Sequence, residues 1–179
     1  MRSLPKQVEV LCQTVDAPPR LVAHLTLVHD FAVSLVEETK CVLPELSLDE
    51  ESVFFGAATH DIGKSLHRSE LVEAGDFHEA AGERLLLKLG VDAKLARFAR
   101  THAAWQTDSD LTLEDLFVSL ADTAWKGKRV AEFETFVAER IASETGKEVW
   151  DVFILLDDVL QKLTKGADER LAWQAQFPA

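Results

Sequence analysis

Residues 53–64 read Val-Phe-Phe-Gly-Ala-Ala-Thr-His-Asp-Ile-Gly-Lys, an apolar stretch that leads into a His-Asp doublet followed by glycine and lysine. Neighbouring side chains on a helix differ by about 100° around its axis, so His60 and Asp61 cannot share one face. Both can reach a single point only where the helix ends, and Gly63 is suited to end it. A carboxylate beside so apolar a run needs a cation or hydrogen-bond donors. A capped helix end with a buried histidine leaves Asp61 unexplained, whereas a bound metal ion supplies its partner.

Further candidate ligands are spread along the chain, which has only six histidines. Neutral imidazole and carboxylate groups bind hard or borderline divalent cations. The order of these residues resembles that of the HD-domain superfamily of metal-dependent phosphohydrolases, which has an upstream histidine, the doublet, two single histidines and a late aspartate. The matching positions are His24, His60-Asp61, His78, His102 and Asp122. The resemblance spans about residues 20–129.

The resemblance implies a site for two divalent transition-metal ions. The first ion is expected to be ligated by His24, His60, Asp61 and Asp122. The second is expected to be ligated by His78 and His102, with Asp61 bridging the two ions. Manganese or iron is the first expectation, and Mg, Co, Ni or Zn are the alternatives. Such a pair generates hydroxide near neutral pH and polarises a phosphoryl group.

The His29-Asp30 doublet is a second candidate within the same predicted helix as His24. It lacks the Gly-Lys continuation, and its helix continues past it. Periodicity alone does not separate His24 from His29. The family pattern, in which aliphatic residues follow the first histidine by one and two turns, favours His24.

Hydrophobic periodicity and capping residues predict an all-α chain of about eight helices in one compact domain, residues 1–179. Apolar residues recur at three- and four-residue steps from Pro19 to about Thr39, and Ser47-Leu48-Asp49-Glu50 is a capping-box pattern. Asp76, Asp92 and Thr112 are further candidate caps. We expect an HD core over about residues 20–129 and C-terminal helices over residues 130–175.

Composition limits the partners. The formal net charge of −12 argues against binding to duplex nucleic acid, which requires clustered cations. Cys12 and Cys41 are too few for a disulfide scaffold, so a cytoplasmic protein is expected. No signal peptide or transmembrane run is visible, and we expect no membrane association. The sequence leaves the oligomeric state open.

Cations near the doublet predict a small phosphorylated substrate, with a nucleotide as the first expectation. Lys64 follows Asp61 by three residues and is expected to act with it in catalysis and to bind substrate. The densest basic cluster follows Asp122 and gives the other predicted substrate ligands, Lys126, Lys128 and Arg129. The alternative is that these cations lie at the C-terminus of a helix, where the helix dipole favours positive charge, and do not bind substrate.

Two activities are compatible with the same six ligands. The first is hydrolysis of a phosphoester or phosphoanhydride by metal-activated water. The alternative is oxidation, because a branch of the superfamily binds a mixed-valence di-iron pair. Those oxygenases tend to lack a lysine at the position of Lys64, and the phosphonate oxygenases use a tyrosine, which this chain does not contain.

The cyclic-dinucleotide phosphodiesterase branch carries paired histidines where this chain has His102-Ala103. Hydrolysis of another phosphoester is therefore favoured.

Overall fold

The computed structural model describes residues 1–179 and contains helices but no strand. The α-helices are α1 Lys6–Thr14, α2 Pro19–Val42, α3 Glu50–Thr59, α4 Phe77–Lys88, α5 Ala93–Ala96, α6 Phe98–Thr101, α7 Leu113–Ala124, α8 Ala131–Thr145, α9 Val149–Thr164 and α10 Ala167–Gln174. Two 3-10 helices, Ile62–Ser65 and Arg68–Leu71, lie between α3 and α4. The predicted all-α class is confirmed. No helix has the combination of length and apolar character that crossing a bilayer requires.

The helices differ from the predicted set at several points, which include the two 3-10 helices. Helix α1 was not predicted, because its nine residues bury only Val8 and Cys12 and so carry little periodic signal. The single helix expected after Asp92 is instead two one-turn helices, α5 and α6, that meet at Arg97. The cap of α3 is Asp49 rather than Ser47, since the Asp49 carboxylate accepts from the backbone N–H of Ser52. The predicted cap of α7, Thr112, is present and forms a capping box with Asp115.

Helix α2 is the central element of the fold. It packs against α3, α7 and α9, and α8 packs against α9. The largest core joins buried side chains of these five helices, among them Val28, Leu120, Ile141 and Leu156. The core therefore fixes the relative positions of α2, α3 and α7. These three helices carry the first predicted group of metal ligands.

Helix α4 is attached to this core through an unusually close backbone contact. A Cβ atom on Gly63 would lie 2.0 Å from the carbonyl oxygen of His78 and 2.7 Å from the backbone nitrogen of Gly82. Only a residue without a side chain allows the 3-10 helix after the His-Asp doublet to lie directly on α4. Gly63 thus sets how near His78 comes to Asp61.

Candidate metal centre

Five segments of the chain bring the six predicted ligands to one place. The segments and their residues are α2 with His24, the end of α3 with His60 and Asp61, the first turn of α4 with His78, the end of α6 with His102, and α7 with Asp122. His60, Asp61, His78 and His102 are buried. Sequence reasoning therefore found residues that the fold assembles into a single cluster.

Asp61 lies at the middle of this cluster, and its two oxygens face different histidines. Oδ2 lies 3.1 Å from Nε2 of His24 and 3.7 Å from Nε2 of His60. Oδ1 lies 3.0 Å from Nε2 of His78 and 3.6 Å from Nε2 of His102. In each half the three ligand atoms lie within 4.8 Å of one another, a spacing that could hold a metal ion. One carboxylate thus belongs to two potential metal-binding groups.

Asp122 joins the first of these two groups. Its Oδ1 lies 3.4 Å from Nε2 of His24 and 3.5 Å from Nε2 of His60. The arrangement therefore pairs two histidines and a second carboxylate on one side of Asp61 with two histidines on the other.

Hydrogen bonds to Nδ1 fix the orientation of the buried imidazoles. Nδ1 of His60 lies 2.9 Å from the carbonyl oxygen of Ala57, and Nδ1 of His102 lies 3.0 Å from that of Ala99. A carbonyl can only accept, so Nδ1 carries the hydrogen and the neutral ring has its free lone pair at Nε2. In both rings Nε2 is the atom near Asp61, which is the state a metal ligand requires.

Glu70 performs the same task for His78, and sequence analysis did not single it out. Its Oε2 accepts from Nδ1 of His78 at 2.5 Å and from the backbone N–H of His78 at 3.1 Å. Its Oε1 accepts from the backbone N–H of Phe77, so Glu70 also caps the start of α4. One glutamate in a chain with 31 acidic residues gives no sequence signal of this role.

Two buried polar atoms of the cluster have no hydrogen-bond partner. They are Oδ1 of Asp61 and Nε2 of His78, which lie 3.0 Å apart. Burying such atoms without a partner costs free energy. A divalent cation satisfies both lone pairs, and a mixed nitrogen and oxygen donor set suits Mn, Fe or Zn. The residues present therefore fit a metal ion.

The ionisation of the cluster also suits a cation. Burial acts to raise the pKa of Asp61, but His60 and His24 outweigh it and hold that pKa well below the usual range. His24 and His60 have the same effect on the pKa of Asp122, again against burial. Burial lowers the pKa of His102 to about 4. Near neutral pH the cluster therefore contains two carboxylates and a neutral His102.

A cavity of about 160 Å³ opens beside the first group of ligands. Its lining residues are Arg20, His24, Asp61, Lys64, Leu71 and Gln174. Nζ of Lys64 donates to Oδ2 of Asp61 at 2.5 Å, so the predicted cation lies at the cluster. Arg20 and Gln174 were not anticipated, although Arg20 precedes His24 by four residues and so shares its helical face.

The basic cluster after Asp122 has different surroundings. Nζ of Lys126 lies 3.9 Å from Oδ2 of Asp122, whereas Lys128 is exposed and forms no ion pair. The Arg129 guanidinium donates to the carboxylates of Glu134 and Asp157, and Glu134 raises the pKa of Arg129 above its usual value. None of these three cations lines the cavity. Their role in binding substrate stays a prediction, and Arg129 has the evident task of joining the start of α8 to α9.

The second doublet lies outside the cluster. The His29 ring packs edge-on against Phe54 with 6.3 Å between the ring centroids, and its Nδ1 is buried without a partner. The Asp30 carboxylate binds Arg2. His24, rather than His29, is the histidine of α2 that approaches Asp61.

A comparison with family models matches residues 21–124 to the HD domain. The chain belongs to the HD-domain family. Members of the HD-domain family are in general metal-dependent phosphohydrolases. The matched range of this HD-domain protein contains all four histidines and both aspartates of the cluster. Comparisons with curated proteins and with solved structures gave no match.

Proposed function

We propose that this HD-domain protein hydrolyses a phosphoester or phosphoanhydride of a small, nucleotide-like substrate, using two divalent transition-metal ions, Mn or Fe in the first place. The observation that carries the proposal is the position of Asp61, whose two oxygens each face a separate pair of histidines. His24, His60, Asp61 and Asp122 would hold one ion, and His78, His102 and Asp61 the other.

The protein groups have distinct tasks in this proposal. When bound, the metal ions supply Lewis acidity and lower the pKa of water. The carbonyls of Ala57 and Ala99 keep the Nε2 lone pairs of His60 and His102 directed at the site. Lys64, at the edge of the cavity, can donate to a phosphoryl oxygen and stabilise charge that develops there.

The cations at the cavity favour an anionic, phosphate-bearing substrate. Lys64 and Arg20 both line it, in a protein whose formal net charge is −12. Anions are repelled by the average field of such a protein, so a local pair of cations favours an anionic substrate.

The test is a screen of metal-loaded protein against nucleotides, phosphomonoesters and phosphodiesters, with released phosphate or nucleoside monophosphate as the measurement. Turnover is expected with Mn or Fe, and protein treated with a chelator is the control. Oxygen consumption coupled to substrate loss, with iron alone active and no phosphate released from any compound, would instead support the di-iron oxygenase and overturn the hydrolase.

A further inference from the structure

Arg20 is unusual among the arginines of this protein because its side chain has no partner. Of the nine arginines, five form ion pairs with carboxylates: Arg2, Arg68, Arg97, Arg100 and Arg129. Arg140 and Arg170 donate to backbone carbonyls. Only Arg20 and Arg84 make neither kind of contact, and Arg84 is exposed on α4 whereas Arg20 is half-buried.

The position of Arg20 adds to this observation. It lies in the first turn of α2, where the helix dipole disfavours a cation, so helix stability does not account for it. It lines the 160 Å³ cavity together with Lys64, and it precedes the candidate ligand His24 by one helical turn. The unpaired guanidinium of Arg20 and the ammonium group of Lys64 therefore border the same cavity, beside the cluster of candidate metal ligands.

The C-terminal segment contributes to the wall of this cavity. Gln174, the last residue of α10, lines it, and the carbonyl of Pro178 accepts from the backbone N–H of Arg20 at 3.0 Å. Helix α10 itself has no buried residue, and Arg170 ties it to the carbonyls of Trp125 and Leu163. The tail thus limits the room in front of the cluster.

We propose that Arg20 is a substrate-binding residue that, with Lys64, binds a terminal phosphoryl group, in a cavity whose size is limited by Gln174. Guanidinium groups bind phosphate oxygens in a bidentate manner, which explains an arginine without a protein partner. Pockets that enclose whole ligands have about 300–1,000 Å³, so a cavity of about 160 Å³ admits the phosphoryl end and leaves the rest of the substrate at its opening. The proposal rests on the proposed function for its reaction, but not for its binding step.

The first test measures binding of inorganic phosphate to metal-loaded protein by calorimetry. Arg20→Gln should raise the Kd for phosphate about ten- to a hundredfold, the scale of a lost hydrogen bond to a charged group. Arg20→Lys, which keeps the charge but loses the fork, should have an intermediate Kd. Arg84→Gln, the matched control, should bind phosphate as wild type does. Metal content and melting temperature should be unchanged in all three variants.

Wild-type affinity of Arg20→Gln for phosphate would overturn the proposal, as would equal weakening by Arg84→Gln or loss of metal from Arg20→Gln. These results differ from a failure of the proposed function. Selective loss of phosphate binding in a protein that hydrolyses no phosphate compound would leave the binding residue in place and remove the hydrolase. Hydrolysis with unchanged phosphate binding in Arg20→Gln would do the reverse.

The second test concerns the size of the cavity and uses competition against inorganic phosphate. Phenyl phosphate, which has a free phosphoryl end, should displace phosphate from wild-type protein. Diphenyl phosphate, in which two of the phosphate oxygens carry phenyl rings, should not displace inorganic phosphate at the same concentration. Equal displacement by the two compounds would contradict the part of the proposal that concerns Gln174 and the cavity size.

Discussion

At the scale of single residues, Asp61 is the group that the two halves of the candidate site share. It is buried, its pKa is held far below the usual range against the effect of burial, and each of its oxygens faces a different pair of histidines. The carboxylate of Asp30, in the similar doublet, accepts only from the backbone N–H and the guanidinium of Arg2. The two aspartates are therefore a matched pair for mutation.

Asp61→Ala should remove bound metal and abolish turnover, because both metal-binding groups lose a shared ligand. Asp30→Ala should leave metal content and turnover near wild type, since it removes only an exposed ion pair. Elemental analysis and the phosphate-release assay measure the two effects. Equal losses in the two variants would mean that the helix carrying His24 has been misassigned.

Lys64 offers a second comparison at this scale. If it stabilises charge on the phosphoryl oxygens, Lys64→Ala should lower kcat about ten- to a thousandfold while metal is retained. Lys94→Ala, which removes an exposed and unpaired lysine, should leave kcat unchanged. Steady-state kinetics and elemental analysis give the answer, and loss of metal from Lys64→Ala would show that its bond to Asp61 is its whole role.

At the scale of elements, the sequence predicted most helices and all six cluster residues, but not how the elements meet. The doublet, its glycine and the spaced histidines are visible as a pattern, and strong periodicity placed α2. The positions of Glu70 and Gln174 depend on contacts between segments that are distant along the chain. Such contacts are tertiary and leave no local pattern, so no sequence signal pointed to these two residues.

The contact between the 3-10 helix Ile62–Ser65 and α4 gives a prediction of its own. Gly63→Ala should lower the free energy of unfolding by about 3 kcal/mol. The new Cβ would overlap backbone atoms of α4, which can move only if the helix itself shifts. It should also reduce metal content by displacing His78 from Asp61. Thermal unfolding and elemental analysis measure both effects.

Gly166→Ala is the control for this change. At that position the nearest atom to a new Cβ is the flexible end of Arg170, at 3.1 Å. The expected loss is below about 1 kcal/mol. A Gly63→Ala variant as stable as Gly166→Ala would contradict the close approach of the 3-10 helix to α4.

At the scale of the whole molecule, metal binding should be linked to pH. In the metal-free protein, burial acts to lower the pKa of His24, but Asp122 and Asp61 outweigh burial and raise it. Burial also acts to lower the pKa of His78, but Asp61 and Glu70 outweigh burial there and raise it. Protons therefore compete with the metal at these rings, and affinity should fall as pH falls through the raised values. His102, with a pKa of about 4, should release no proton near neutrality.

The measurement is calorimetry of Mn binding between about pH 6 and 8 in buffers of different ionisation enthalpy. Affinity should rise with pH, and binding near pH 7 should release protons from His24 and His78. Equal affinity across this range, with no proton release, would contradict the assignment of these histidines as ligands.

The central claim is that one buried carboxylate serves two metal-binding groups, and counting the metal tests it most directly. Protein purified without chelator and reconstituted with Mn or Fe should contain close to two ions per chain by elemental analysis. His102→Ala should reduce that content toward one, because it removes a ligand of the second group alone. A wild-type content at or below one ion per chain after reconstitution would contradict the two-metal site and leave His78 and His102 with a structural role only.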